Sequence, residues 1–154
     1  MKKLFFAAAF ALGGSGAMAA QGEPIEVTGE IIDTWCYFSG VMGDTDAVVG
    51  SAHHTCALWC SAGGIPVGIL TEDGTVYMVV KWEGNASVAD GVALLDIQSH
   101  TLTAKGTTYV RDGINYIFVE DVVADQGIVN QNHEDFGFIP SGPVLKTIKG
   151  KLGQ

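Results

Sequence analysis

Apolar positions fall into short β-branched runs punctuated by glycine turns over most of the chain. Ile25 to Trp35 is rich in Ile, Val and Thr and predicts a first strand, with Gly29 marking a bulge or bend. Val67 to Thr71 and Thr75 to Trp82 flank Glu72-Asp73-Gly74, and Asp-Gly between two such runs predicts a hairpin. Thr101 to Val110 and Ile114 to Val123 flank Arg111-Asp112-Gly113 and predict a second hairpin. Between the hairpins, Asn85 to Ser99 carries Val88, Val92, Leu94, Leu95 and Ile97 and reads as a helix, with Ser87 as its N-cap and Gly91 as a weak point. Past Ala124 the chain contains Asn, Gly and Pro with no period, so residues 125–154 read as an irregular tail. Five strands with a helix after the third predict a mainly β protein, a small OB-like five-stranded barrel.

The segment between the first two strands has a different character. Trp35-Cys36-Tyr37 is followed by a loop through Gly40, Gly43 and Gly50, then by Ser51-Ala52-His53-His54-Thr55-Cys56-Ala57-Leu58-Trp59-Cys60-Ser61-Ala62-Gly63-Gly64. Ser51 suits an N-cap, Ala52 to Ala62 contains no Gly or Pro, and Gly63-Gly64 suits a stop, so a helix of about three turns is predicted as an insertion within residues 36–64. All three cysteines lie in this insertion. At about 100° per residue, His53, Cys56 and Cys60 share an arc of roughly 60°, while His54 points about 100° away from His53. Side chains four apart on a helix have Cβ atoms about 5–6 Å apart, and a disulfide needs about 3.5–4.5 Å. A Cys56–Cys60 disulfide therefore conflicts with an intact helix, whereas ligands one turn apart suit a metal. Cys36, expected at the end of the first strand, completes three thiolates with His53 or His54 as the nitrogen donor, a set that suits zinc, copper(I) or iron.

Composition narrows the setting. Lys2 and Lys3, the apolar run Leu4 to Leu12, and Ala17-Met18-Ala19 form the three parts of a secretory signal over residues 1–19. Its removal leaves 135 residues with six basic and seventeen acidic side chains, a net charge of −11. Residues 20–124 then form the barrel domain. The expected location is the bacterial periplasm or outside the cell, with no membrane insertion once the signal is cleaved, since no later segment is long and apolar enough. Nucleic acid is excluded as a partner by the acidic charge; a protein partner in the periplasm fits better.

Other chemistries lack their signatures. There is no Cys-x-x-Cys-His for covalent haem, no Gly-x-Ser-x-Gly and no phosphate-cradling loop. Cys56 and Cys60 are one residue farther apart than a thioredoxin-type pair. Trp35, Tyr37 and Trp59 read as core or as an apolar wall of the site, and Met42 and Met78 as space-fillers that copper could also use. His100 has no assigned role, His133-Glu134-Asp135 reads as a solvated turn, and Lys146, Lys149 and Lys151 as a solvated basic edge.

Gly29-Glu30-Ile31-Ile32-Asp33-Thr34-Trp35-Cys36, His54-Thr55-Cys56-Ala57-Leu58-Trp59-Cys60 and Gly64-Ile65-Pro66-Val67-Gly68-Ile69-Leu70 resemble a group of small exported bacterial proteins. Their frame is Asp-x-x-Cys, then His and one or two residues before Cys-x-x-x-Cys, on an OB-like β-barrel. The resemblance spans Val27 to Val123 and implies the fold more than an activity. Three readings follow: a non-enzymatic metal-binding accessory or electron-transfer protein, a barrel stapled by a Cys36 disulfide to Cys56 or Cys60 and acting as a subunit of an exported assembly, or a thiol–disulfide redox protein.

Overall fold

The first strand sets the geometry of the whole molecule. In the computed structural model, which describes residues 21–82 and 92–136, β1 (Glu23–Asp33) is long enough to serve two neighbours. Its first part, Glu23 to Glu30, pairs with β4 (Thr101–Arg111), and Glu30 to Asp33 pairs with β2 (Val67–Leu70). Gly29 sits at the changeover, where a Cβ would lie 2.4 Å from the Leu70 carbonyl oxygen, a close backbone approach that only glycine permits; the β1–β4 register runs through it without a shift, so the bulge expected there does not form.

β3 (Val76–Trp82) pairs antiparallel with β2 and parallel with β5 (Ile114–Asp125), which returns antiparallel to β4. The order β1-β2-β3-β5-β4 closes on itself, giving the five-stranded OB-like barrel the strand pattern predicts. Asp112 and Gly113 both have positive φ, 53° and 81°, which is the two-residue turn geometry that matches strand twist. The barrel interior is apolar: Ile31, Ile69, Leu102, Ala104, Ile117 and Val119 are all fully buried, closed by Val27, Val67 and Trp82.

Helices occupy the connections. α1 (Thr34–Ser39) and α2 (Gly50–Ala62) follow β1, with a single 3-10 turn at Asp46–Val48 between them, and α3 (Val92–Asp96) follows β3. The first strand thus ends at Asp33, two residues before the sequence reading placed its end. Asp33 Oδ1 accepts from the backbone N–H groups of Trp35 (2.9 Å) and Cys36 (3.3 Å), an N-cap that turns an aromatic-rich run into helix. α3 lies inside the predicted helical segment; Ser87 and Gly91 lie outside the described residues. Leu58 of α2 packs on Leu95, tying the inserted helix to the barrel's own.

After β5, residues 126–132 run as irregular chain from the start of β4, where Gln126 and Gly127 bond to the Thr101 backbone, to the start of α2, before the single turn α4 (His133–Phe136). This strap, rather than Ser51, caps α2. Asn132 Oδ1 accepts from Ala52 N–H, the Asn130 carbonyl accepts from Ser51 N–H, and the Glu30 carboxylate accepts from Gly50 N–H. Gly50, with φ of 65°, leaves room for the Asn130 carbonyl and Asn132 side chain, which a Cβ would meet at 2.6 Å. Ser51 is instead buried inside the helix, its hydroxyl 3.0 Å from His133 Nδ1. The signal segment and the lysines at 146, 149 and 151 also fall outside the described residues. No helix among the described residues is long and apolar enough to cross a membrane.

Candidate metal centre

Two helices of unequal length meet at the end of β1, and the thiols meet there with them. The N-cap at Asp33 starts α1 so that Cys36 falls in its first turn, pointing inward and buried, before Gly40 ends the helix with φ of 62°. α2 then lays one face against this corner. His53 and Ala57 are buried, Cys56 and Cys60 half-buried, and Trp59 points away into solvent, which is the distribution a period of 3.6 residues gives. The sulfurs of Cys36, Cys56 and Cys60 and a carboxylate oxygen of Asp33 all lie within 4.8 Å of one another. The Cys56 and Cys60 sulfurs are 4.0 Å apart, and all three thiols are free.

The sequence predicts three thiols and an imidazole; the group that converges is three thiols and a carboxylate. His53 stands just behind it, 2% exposed, with Nε2 3.2 Å from Asp33 Oδ2. An ionised carboxylate can only accept, so the imidazole donates through Nε2–H. His54 is elsewhere: its Nδ1–H donates to the Gln98 carbonyl at 3.0 Å. Asp33, which is not in the predicted set, supplies the carboxylate of this group. Its signal was the Asp-x-x-Cys spacing itself, a capping residue three positions before a thiol, which places carboxylate and sulfur on the same turn.

The electrostatics are those of a crowded anion site. Burial pushes the Asp33 carboxyl upward, but hydrogen bonds from the Cys36 thiol, the His53 ring, the Cys60 thiol and the Cys36 backbone N–H outweigh it and hold the carboxyl below its ordinary value. The thiols move the other way. Burial first, then the Asp33 hydrogen bond and charge, then the neighbouring thiols, push the Cys36 thiol far up and the Cys60 thiol up to about 12. The Cys36 and Cys60 thiols therefore hold their protons beside the Asp33 carboxylate. A cation reverses that logic, because each thiolate it binds is stabilised by the charge that displaced the proton. His54 is pushed down by burial, partly countered by the Gln98 carbonyl, with His100 adding to the lowering.

The surroundings differ from an apolar wall. Trp35 is 59% exposed, Phe38 61% and Trp59 47%, so the tryptophans flanking the cysteines face solvent, and Tyr37 meets Phe38 edge-on. Met42 is exposed, Met78 is half-buried in β3, and neither belongs to the thiol–carboxylate group. His100 pairs with Asp125 at 2.9 Å, and His133 joins the strap to Ser51. The chain matches no protein-family model, no curated protein and no solved structure, so the reading of this corner rests on its geometry.

Proposed function

We propose that the protein is an exported, non-enzymatic metal-binding protein of the periplasm, serving as an accessory or electron-transfer component and holding one ion of zinc, copper or iron. The observation that carries this reading is the meeting of three thiols and a carboxylate within 4.8 Å at the junction of β1, α1 and α2. Cys36, Cys56 and Cys60 supply thiolates and Asp33 an oxygen, four donors of types that zinc and related ions accept in tetrahedral sites. Metal–sulfur bonds of about 2.3 Å need only a small contraction of the present spacing. A bound ion protects thiols that an oxidising compartment would otherwise pair. The sequence start with Lys2, Lys3 and the apolar run supports export.

A partner surface adjoins the centre. Trp35, Phe38, Val41 and Met42 are all more than half exposed on α1 and the loop after it, beside exposed Asp44 and Asp46. There is no Lys or Arg from residue 21 to residue 80. The partner that fits is a protein with an apolar recess edged by Lys or Arg, since a second acidic copy or an anionic lipid surface would be repelled.

Elemental analysis and thiol counting on untagged protein isolated from its native compartment test the proposal. One equivalent of metal, with three thiols that react only after a chelator is added, is expected. A stable disulfide plus one free thiol, without metal, overturns it.

A further inference from the structure

The donor set in this corner is mixed, and one residue outside it decides how mixed it stays. Asp33 is 1% exposed, and its two oxygens have different duties. Oδ1 is committed to capping α1 through Trp35 N–H and Cys36 N–H, whereas Oδ2 is met from across the fold by His53 Nε2 at 3.2 Å. His53 belongs to α2, the helix that also carries Cys56 and Cys60, so the imidazole sets the carboxylate against the same rigid element that presents two of the three sulfurs. It is buried on its face of the helix, and its Nε2–H is aimed at the carboxylate rather than at solvent.

Resting on the metal reading above, we infer that His53 is a positioning residue that biases the centre toward divalent ions, by holding the Asp33 carboxylate in place as a hard fourth donor. The chemistry is a difference between two complexes. Cuprous copper is soft and is satisfied by thiolates, while a divalent ion such as Zn(II) or Co(II) accepts sulfur and oxygen together and favours four donors. Charge acts in the same direction. Three thiolates and a carboxylate leave a net charge of −2 around a divalent ion and −3 around cuprous copper. The larger unneutralised charge is the more costly one at a site with a buried thiol and a buried carboxylate. A carboxylate free to turn away would lower that cost for copper and remove a ligand from zinc. Hydrogen bonding of this kind to a metal ligand typically changes affinity about 10–100-fold.

The test is competition of the full chain against chromophoric chelators, with Zn(II) alone and with Cu(I) alone under reducing conditions, for the native protein and three variants. His53→Leu fills the space without a donor, and His53→Gln retains an N–H. Asp33→Asn retains an N-cap but removes the charge. The expected result is a Zn(II) affinity about 10–100-fold weaker in His53→Leu, with Cu(I) affinity equal to or higher than that of the native protein. His53→Gln restores most of the loss and Asp33→Asn reproduces it. In the Co(II) form of His53→Leu the thiolate-to-metal absorption persists while the ligand-field bands of a four-coordinate centre weaken. Equal losses for the two ions, which a merely structural role would give, overturn this inference alone, as does unchanged Zn(II) affinity. A native protein that binds neither ion overturns the metal reading itself and this inference with it.

Discussion

The barrel interior and the thiol corner touch through β1, yet they are built on opposite principles. Inside the barrel, Ile31, Ile69, Leu102, Ile117 and Val119 are fully buried and offer nothing to hydrogen-bond, so its stability comes from apolar area removed from water. Two residues beyond Ile31 the same strand ends at Asp33, and the buried groups become a carboxylate, a thiol and an imidazole. Such groups are costly to bury unless each has a partner, and here they partner one another. One region is stable because it is inert. The other is held by hydrogen bonds among ionisable groups, so its strength depends on their protonation, and its donors are of types that could hold a cation.

That contrast can be broken first on the inert side. Ile117→Ala removes a fully buried side chain from the barrel and is expected to cost about 2–5 kcal/mol in urea unfolding. The metal equivalents bound by the folded fraction stay the same. A change in stoichiometry without a change in stability would erase the distinction between the regions.

Glu30 tests the boundary between them. It lies in β1 and accepts from Gly50 N–H at the start of α2; burial raises its carboxyl from 4.5 to about 7, only partly offset by that hydrogen bond. The folded protein holds this proton more tightly than the unfolded chain, so the stabilisation is complete below pH 4.5 and is lost as pH rises through 7. Glu30→Gln keeps an acceptor for Gly50 and removes the charge. It should stabilise the protein by up to about 3 kcal/mol above pH 7 and change little near pH 4.5. Unfolding curves at pH 4.5 and pH 8 read the difference, and parallel curves for the two proteins would contradict it.

A smaller effect sharpens the role of the strap. Asn132→Ala removes the acceptor for Ala52 N–H and is expected to cost about 1 kcal/mol, as loss of a helix N-cap does. Amide exchange should rise in the first turn of α2 and stay unchanged in the barrel strands. Uniform protection across both would mean that the helix start does not depend on the strap.

The barrel was legible because its signals are local. Asp112-Gly113 and Glu72-Asp73-Gly74 announce their turns within the residues that form them, and the five β-branched runs became five strands. The three cysteines were legible for the same reason, since one helical period places Cys56 and Cys60 on one face. What could not be read was which groups arrive from elsewhere. Trp35 to Phe38 has strand-like composition, and the cap at Asp33 overrides it. His53 shares the arc of Cys56 and Cys60, but the end of β1 reaches that arc first, so the carboxylate stands among the sulfurs and the imidazole behind it. The true caps of α2 come from Asn130 and Asn132, about eighty positions away, which no window around Ser51 contains.

Titration with Co(II) bears most directly on whether the corner is a metal centre. The metal-free reduced protein should take up one equivalent, with intense near-ultraviolet bands from three thiolates and visible bands of a four-coordinate ion, and both should vanish on adding Zn(II). Cys60→Ser should lose the stoichiometric complex while keeping the barrel's cooperative unfolding. A native protein that shows no thiolate-to-cobalt absorption, or a Cys60→Ser variant that binds as the native protein does, would contradict the assignment of these donors.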